Sequence, residues 1–475
     1  MKVLSTASEL YPLVKTGGLA DVAGALPLAL KSHDVKVTAM VPGYPVVMKE
    51  LKRTDEVCAI DDCFGGPATL RSARHKGLSL MVLDAPHLYD RAGGPYQDED
   101  GVDFSDNWRR FAAFSFVAAE LAQGRLCDYR ADCLHAHDWQ SALAPAYLKY
   151  SDLDGPPSVM SIHNIAFQGQ YGAETFAELR LPDRAYALDG VEYYGGVGFL
   201  KAGLEAASAI STVSPTYAQE IRQAEFGMGL EGLINARNSD LVGIVNGIDT
   251  DDWDPETDKA LSVTYDSASL ARRRKNRKQV ETAFALESDD GLLICLIGRL
   301  AWQKGMDVVI DATDELVEMG IRLAVIGSGD AGLEAGLKAA VEKHPGRVGA
   351  FIGYSEKLAH QLQGGSDAIL IPSRFEPCGL TQLYGLRYGC VPIVARTGGL
   401  ADTIIDANPA GLAASAATGF QFSPLDRQTL LHAVSRAKTV HSYRKTWQKM
   451  QRRGMKADVS WSASAAQYAR LYAAL

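Results

Sequence analysis

The stretch that decides the fold is KVLSTASELYPLVKTGGLADVAGALPLALKSHDVKVTAMVP, residues 2–42. Its two ends, KVLSTAS and VKVTAMVP, are short apolar runs of the kind that form buried strands. LADVAGALPLALKS between them has the residue spacing of a helix. Strand, helix and strand in this order predict a βαβ unit, in a parallel sheet that is buried on both faces.

The same alternation continues through most of the chain and divides it into domains. It pauses at VNGIDTDDWDPETD, residues 245–258, where Asn, Gly, Asp and Pro crowd together as in a linker. We therefore predict an α/β protein with two Rossmann-like domains, residues 1–245 and 259–455, facing each other across a cleft. Residues 246–258 are predicted to be a hinge, and residues 456–475 a helical tail.

Composition limits the classes of partner. The 475 residues carry a net charge of −9 and show no basic stripe, which disfavours nucleic acids and anionic membranes as partners. The seven cysteines have no CxxC spacing, so neither a disulfide framework nor a structural zinc site is expected. No signal peptide and no apolar run of about 18 residues is apparent. A cytoplasmic protein is predicted.

One phrase occurs twice, as KTGGLAD at Lys15–Asp21 and as RTGGLAD at Arg396–Asp402. In both places a Gly-Gly loop leads into a predicted helix. Glycines let a backbone pass close to a ligand, and a helix N-terminus attracts anions. For a single copy, a tight turn with an acid in the first helical turn is the favoured explanation. Two copies, one per domain, favour two walls of one ligand site.

Two cationic residues follow a predicted strand in IGRLAWQKG. Arg299 and Lys304 would stand at the end of the second sheet, where ligands of such sheets bind. A transferase with a diphosphate leaving group needs positive charge there, because negative charge grows as the bond breaks. The alternative is a solvated surface pair.

SRFEPCGLTQLYGLRYG, residues 373–389, is the most informative run. It predicts a strand end, a loop and a helix start. The backbone N–H groups of Gly379, Leu380 and Thr381 would form a phosphate cradle in the first helical turn. Glu376 beside them would hold sugar hydroxyls or a developing cation. The alternative is that Glu376 is only an acid at a helix start, where the helix dipole favours negative charge.

Histidines end two strands of the first domain. In HAHDWQSAL, His135 and His137 alternate and Asp138 is predicted to be a helix N-cap. No third ligand is spaced to complete a metal site, so we expect no metal. His163, in SIHNIAFQGQ, is either a structural hydrogen-bonding residue or a functional one, and its place at a strand end leaves both open.

Taken together, these stretches closely resemble the bacterial glycogen synthases and plant starch synthases, in the order and spacing of that family. The motifs are KTGGLADVAGALP, HAHDWQ, HNIAFQGQ, VNGID, GRLAWQKG, SRFEPCGLTQLYGLRYG and RTGGLADT. The resemblance implies a retaining transferase of the two-domain GT-B fold. Such bacterial enzymes extend an α-1,4-glucan such as glycogen by one glucose from ADP-glucose and release ADP, and no cofactor is implied.

The resemblance also implies roles for particular residues. The catalytic set would be Glu376, His163, Arg299 and Lys304, with the two cations at the diphosphate and His163 near the transferred glucose. ADP-glucose would contact a further set: Lys15, Gly17, Gly18, Asp21, Asn246, Tyr354, Cys378, Gly379, Leu380 and Thr381. Tyr354 would stack on adenine. Tyr96, Asp138 and Trp139 would lie on the glucose and acceptor side.

One departure from the wider superfamily narrows the assignment. Many retaining GT-B enzymes have a second Glu eight residues after the first, which contacts the nucleotide ribose, and here that position is Tyr384. Glycogen and starch synthases share this change. Two alternatives stay open: a GT-B transferase that uses UDP-glucose or makes another glycoside, and an inactive relative that only binds glucan.

Overall fold

A computed structural model describes all residues from Met1 to Leu475. The chain forms two compact units, one of Met1–Asn246 with Trp461–Leu475 and one of Gly247–Ser460. Each unit is a sheet covered by helices, so the predicted α/β class is confirmed. None of the helices combines the length and the apolar content that crossing a membrane requires.

Unit 1 contains twelve strands. They are β1 (Lys2–Thr6), β2 (Lys36–Pro42), β3 (Asp55–Ile60), β4 (Ala68–His75), β5 (Leu78–Asp84), β6 (Cys133–His137), β7 (Ser158–Ile162), β8 (Gln170–Tyr171), β9 (Glu192–Tyr193), β10 (Gly196–Gly198), β11 (Ala209–Thr212) and β12 (Leu241–Gly243). The main sheet has nine of them in the order β12-β11-β7-β6-β1-β2-β5-β4-β3, and β8, β10 and β9 form a small separate sheet.

Most of the main sheet is parallel, as predicted, but one edge is not. The strands from β12 to β5 pair in parallel, whereas β3, β4 and β5 pair antiparallel. The expectation of a wholly parallel sheet is therefore wrong at this edge. Lys76 and Gly77 both have positive φ, 44° and 83°, which suits a two-residue hairpin turn. The half-exposed strands β3 and β4 at this edge lack the apolar runs that mark buried strands.

Eight helices precede the second unit. They are α1 (Gly18–Ala29), α2 (Pro45–Glu50), α3 (Pro86–Tyr89), α4 (Asn107–Gln123), α5 (Leu143–Lys149), α6 (Phe199–Ala206), α7 (Pro215–Glu220) and α8 (Glu231–Ala236). The predicted first βαβ unit is present, since β1 and β2 pair in parallel and α1 lies between them in sequence. α1 buries Leu19, Val22 and Leu26, which lie three or four residues apart on one face.

Unit 2 is built on a six-stranded, fully parallel sheet in the order β15-β14-β13-β16-β17-β18. Its strands are β13 (Leu293–Ile297), β14 (Arg322–Gly327), β15 (Val348–Ile352), β16 (Ala368–Ile371), β17 (Val391–Ala395) and β18 (Phe420–Phe422). Its helices are α9 (Arg273–Ala283), α10 (Met306–Asp311), α11 (Thr313–Glu318), α12 (Ala331–Lys343), α13 (Glu356–Gly365), α14 (Thr381–Tyr388), α15 (Gly398–Thr403), α16 (Pro409–Ala413), α17 (Arg427–Ser442) and α18 (Arg444–Lys456).

The last helix, α19 (Trp461–Ala473), belongs to unit 1. Trp461, Tyr468 and Tyr472 are buried in the same apolar cluster as Val3 of β1 and Val159 of β7. The sequence indicates that this segment is helical. It does not indicate that this C-terminal helix packs into the core of unit 1, which is otherwise formed by residues 1–246.

Candidate functional site

The first copy of the repeated phrase lies in an exposed loop at the start of α1. Gly17 precedes the helix with an extended backbone, φ −155°, and the helix begins at Gly18. Lys15 Nζ lies 2.7 Å from Asp21 Oδ1, so this predicted donor-site cation is paired within its own motif. A Cβ added at either glycine would meet no heavy atom within 4 Å. The backbone of this loop is therefore open to a ligand.

The glycines of the second copy have a different role. Gly398 has φ +42°, and a Cβ there would lie 1.9 Å from the carbonyl oxygen of Glu376. A Cβ on Gly399 would lie 2.2 Å from the carbonyl oxygen of Cys378. The Gly399 N–H also donates to the Glu376 carbonyl at 3.1 Å. This pair of glycines therefore lets the chain pack directly against the predicted active-site loop.

Glu9 organises the first loop and was not predicted. Its carboxylate accepts hydrogen bonds from the Thr16 N–H, from Thr16 Oγ1 at 2.6 Å and from the Gly17 N–H at 3.2 Å. The Tyr96 hydroxyl also donates to it at 2.5 Å and lies 2.8 Å from Ser8 Oγ. Burial and the neighbouring carboxylate hold the pKa of Tyr96 well above its usual value. Tyr96 therefore fixes the acid that shapes the loop.

Three buried histidines, His135, His137 and His163, form what we call the histidine row. Their rings are joined to one another and to hydroxyl groups. The contacts are His135 Nδ1 with Tyr472 Oη (2.8 Å), His135 Nε2 with Ser161 Oγ (2.6 Å), His137 Nε2 with Ser5 Oγ (3.0 Å) and His137 Nδ1 with His163 Nε2 (2.9 Å). Every ring nitrogen of His135 and His137 is thus hydrogen-bonded, and neither presents a lone pair to a metal.

The histidine row is electrically neutral at pH 7. Burial lowers the pKa of His135 to about 3 and that of His163 to about 4. Burial, together with the neighbouring rings, holds the pKa of His137 well below its usual value. Because His163 Nε2 is used by His137, Nδ1 is the ring atom of His163 that remains for a substrate.

Asp138 is not the side-chain N-cap that the sequence predicts. Its carboxylate makes no capping bond to the short 3-10 helix Trp139–Ser141. Instead it accepts the backbone N–H of His163 at 2.7 Å and that of Asn164 at 3.4 Å. Asp138 has φ 53° and ψ −177°, a region that costs a non-glycine residue about 1–3 kcal/mol. Burial raises the pKa of Asp138 to about 7, although the two hydrogen bonds lower it.

Trp139 and Asn246 are the remaining predicted residues of unit 1, and packing holds both. The Trp139 ring contacts Phe111 at 5.0 Å and Tyr171 at 6.2 Å between centroids. Asn246 is buried, and its Oδ1 has no hydrogen-bond partner. A buried amide oxygen without a partner in the protein can accept a hydrogen bond from a ligand group.

In unit 2 the predicted cations and acid lie close together. Lys304 Nζ lies 2.5 Å from Glu376 Oε2, which also accepts a hydrogen bond from Ser373 Oγ at 2.8 Å. Arg299 is exposed and donates to Gln303 Oε1 at 3.3 Å. Arg299, Lys304 and Ser373 line one small pocket at the carboxyl ends of β13 and β16. The sequence does not predict the ion pair between Lys304 and Glu376.

The loop before α14 presents the predicted row of backbone donors. α14 begins at Thr381, and Gly379 before it has φ +71°. The N–H groups of Gly379, Leu380 and Thr381 donate to no acceptor of the protein. Gln382 Nε2 donates to the carbonyl oxygens of Cys378 at 3.0 Å and Gly379 at 2.9 Å, which fixes the loop. The geometry is that of an anion-binding helix start.

Two tyrosines of unit 2 have distinct surroundings. Tyr354 follows β15, at the same edge of the sheet as the pocket, and its side chain is 79% exposed. Tyr384, which replaces the ribose-binding Glu of other enzymes, stacks on Trp253 with ring centroids 3.7 Å apart. Tyr384 is therefore used in packing.

Sequence reasoning missed three residues that the site depends on. Glu9 shapes the first loop, His137 holds His163, and Ser373 holds Glu376. Glu9 and Ser373 follow strands closely, and a polar side chain just after a buried strand is the signal that could have found them. The partner of His163 lies on a different strand, and no spacing in the sequence predicts that contact.

Two family models match the chain. The model described as "Starch synthase catalytic domain" matches residues 2–236, and "Glycosyl transferases group 1" matches residues 278–453. Among curated relatives, the glycogen synthase of Mesorhizobium japonicum is 58% identical over 99% of this chain and 98% of its own length. That of Novosphingobium aromaticivorans is also 58% identical, over 100% of this chain and 99% of its own length.

Solved structures agree with these matches. The catalytic domain of Starch Synthase IV from Arabidopsis thaliana, bound to ADP and acarbose, is 29% identical with a TM-score of 0.88. The match covers 99% of this chain and 98% of that one. A sucrose-phosphate synthase from Thermosynechococcus elongatus, 16% identical over 100% of this chain and 98% of that one, has a TM-score of 0.61 and shares the fold.

Proposed function

The chain belongs to the glycogen and starch synthase family of glycosyltransferases, and we propose that it transfers glucose from ADP-glucose to the non-reducing end of an α-1,4-glucan. The α configuration is retained and ADP is released. The observation that carries this proposal is the full-length match to proteins named glycogen synthase. We propose that the enzyme acts in the cytoplasm, without nucleic-acid or membrane partners.

The donor diphosphate is bound, in this proposal, by unit 2. The unused N–H groups of Gly379, Leu380 and Thr381 suit phosphate oxygens. Arg299 and Lys304, which line a small pocket at the carboxyl ends of β13 and β16, add two positive charges. Positive groups fixed where negative charge grows stabilise the transition state more than the bound substrate. The leaving ADP is thereby stabilised by side chains, and the transfer uses no metal or other cofactor.

Glu376 and Lys304 act as a unit. Lys304 Nζ lies 2.5 Å from the Glu376 carboxylate, and in the proposal a bound diphosphate shares this lysine. Ser373 Oγ holds the same carboxylate oxygen. We assign Glu376 to the glucose hydroxyls and to the positive charge that develops at C1, with Cys378 in the same loop as a sugar contact. Tyr354 is assigned to the adenine ring.

His163 acts as a neutral hydrogen-bonding group. With a pKa of about 4 it carries no charge at pH 7, so it does not oppose the positive charge that develops on the sugar. Nδ1 is the atom available to a glucose hydroxyl, since Nε2 is bonded to His137. Lys15, Gly17, Gly18, Asp21 and Asn246 complete the donor contacts in the proposal, and Tyr96, Asp138 and Trp139 lie on the acceptor side.

The transfer is proposed to occur on one face of the sugar. A double displacement needs a carboxylate free to attack C1, whereas Glu376 is paired with Lys304 and Asp138 with backbone N–H groups. In the front-face route the C1–O bond to the diphosphate breaks and the acceptor 4-hydroxyl bonds to C1 from the same side. A phosphate oxygen of the departing ADP takes the hydroxyl proton.

The test is a comparison of two donors. The full-length protein is incubated with glycogen and either ADP-glucose or UDP-glucose, and the released nucleotide is measured. We expect release of ADP with elongation of the glucan, and much slower release of UDP. A preference for UDP-glucose would assign another donor, and binding of glycogen without release from either donor would indicate a non-catalytic relative. Glu376→Gln serves as the inactive control.

A further inference from the structure

Unit 2 contains a second cluster of polar side chains, separate from the residues assigned to the substrates. One oxygen of Asp252, one of Glu356 and one ring nitrogen of His360 lie within 4.8 Å of one another. Asp252 lies in the segment that precedes α9, and Glu356 is the first residue of α13. Neither carboxylate forms an ion pair with a lysine or arginine of the chain.

His360 has the surroundings of a metal-binding histidine. It is 7% exposed, and its Nδ1–H donates to Asp258 Oδ2 at 2.9 Å. The Tyr388 hydroxyl donates to the same oxygen at 2.7 Å. The ring stacks on Trp253 at 3.8 Å with an interplanar angle of 11°. A carboxylate that accepts from one ring nitrogen fixes the tautomer and directs the lone pair of the other nitrogen to a metal.

The cluster brings one ring nitrogen of His360 close to acceptors. That nitrogen lies within 4.8 Å of an oxygen of Asp252 and of one of Glu356, and Nδ1 of the same ring is bonded to Asp258. Electron pairs brought together in this way repel one another unless a cation lies between them. A divalent metal ion between these groups satisfies the arrangement.

We propose that Asp252, Glu356 and His360 bind a divalent transition-metal ion such as Zn²⁺, with Asp258 as the carboxylate that orients the histidine. One imidazole and two carboxylates form a donor set that Zn²⁺ accepts, at bond lengths of about 2.0–2.2 Å. The histidine is clamped, whereas Asp252 and Glu356 are exposed and can rotate inward. A divalent ion can draw both carboxylates to a single centre.

Such an ion would be structural. It would join the segment before α9 to the start of α13, and Glu356 lies two residues after Tyr354. An effect on the adenine contact would rest on the proposed function, whereas the metal site itself does not.

The experiment is calorimetric titration of the full-length protein with ZnCl₂ at pH 7.5, after treatment with a chelator and without nucleotide or glucan. We expect a binding site that Glu356→Gln and Asp252→Asn each weaken at least tenfold, because each removes a charged ligand. Asp258→Asn should weaken it about 10–100-fold, the usual effect of losing the partner of a ligating histidine. Asp251→Asn, an exposed neighbour outside the cluster, is the matched control and should bind like the wild type.

Thermal unfolding without metal shows whether the variants fold. Glu356→Gln is the variant least expected to disturb the fold, because Glu356 is exposed. Cobalt(II) supplies a second readout. Absorption typical of nitrogen and oxygen ligands, lost in Glu356→Gln, supports the site, whereas a thiolate charge-transfer band would assign binding to the cysteines and overturn it. Equal affinity of wild type and Glu356→Gln, or no binding, would also overturn it.

Discussion

Replacing Lys304 by alanine should reduce kcat far more than it changes KM for the donor. Lys304 and Glu376 are partly buried, with side chains 25% and 10% exposed, so an effective dielectric constant of about 20 applies in place of about 80. A unit charge at about 4 Å then contributes about 4 kcal/mol. Since only part of a unit charge develops on the diphosphate, about 3–4 kcal/mol is lost, or a 10²–10³-fold fall in kcat.

The loss has a second source that acts in the same direction. Without Lys304, the Glu376 carboxylate keeps only the Ser373 hydroxyl as a partner and repels the departing phosphate. Lys304→Arg keeps the charge in another shape and should retain more activity than alanine. Lys338→Ala, an exposed lysine on α12 of the same unit, controls for a general change in surface charge.

The assay is steady-state release of ADP from ADP-glucose at saturating glycogen, with thermal unfolding to confirm that each variant is folded. A Lys304→Ala enzyme whose kcat stays within twofold of the wild type would refute this reasoning. So would a variant in which only KM for ADP-glucose rises, because the lysine would then bind the ground state and the transition state equally.

Two further predictions concern stability. The histidine row binds protons in the unfolded state below pH 6.5 but stays neutral when folded to about pH 4, so stability falls as the pH falls through this window. Asp138, with its pKa raised to about 7, gains a proton in the folded state over the same window and so offsets one of the three histidines. The net loss is on the order of 3 kcal/mol per pH unit around pH 5; urea unfolding at pH 7, 6 and 5 measures it, and constant stability would contradict the buried neutral row. Gly399→Ala should destabilise the fold by several kcal/mol because its Cβ would lie 2.2 Å from the Cys378 carbonyl, whereas the equivalent Gly18→Ala meets open space and should leave Tm within about 2 °C; equal Tm values for the two variants would contradict the different roles of the two loops.

Features that depend on local sequence were predictable. Apolar runs such as that of β14 predict strands buried on both faces, and the loops that follow β13 and β16 carry residues that line the pocket of unit 2. The half-exposed hairpin of β3 and β4 was not predicted, because edge strands carry no continuous apolar run.

Features that depend on long-range contacts were not predictable from spacing. Asp138 precedes a helical turn and has the residue type of an N-cap, but the backbone N–H groups of residues 163 and 164 compete successfully for its carboxylate. The contact between His135 and Tyr472 joins residues 337 positions apart. Tertiary structure decided both arrangements, and local propensity could not indicate either one.

The central claim is that unit 2 binds the diphosphate of the leaving nucleotide at the start of α14, beside Lys304. A crystal structure of the full-length protein with ADP tests it most directly. The account predicts phosphate oxygens within hydrogen-bond distance of the N–H groups of Leu380 and Thr381, with Arg299 and Lys304 beside them. ADP held wholly by residues of unit 1, or by residues of unit 2 remote from Glu376, would contradict it.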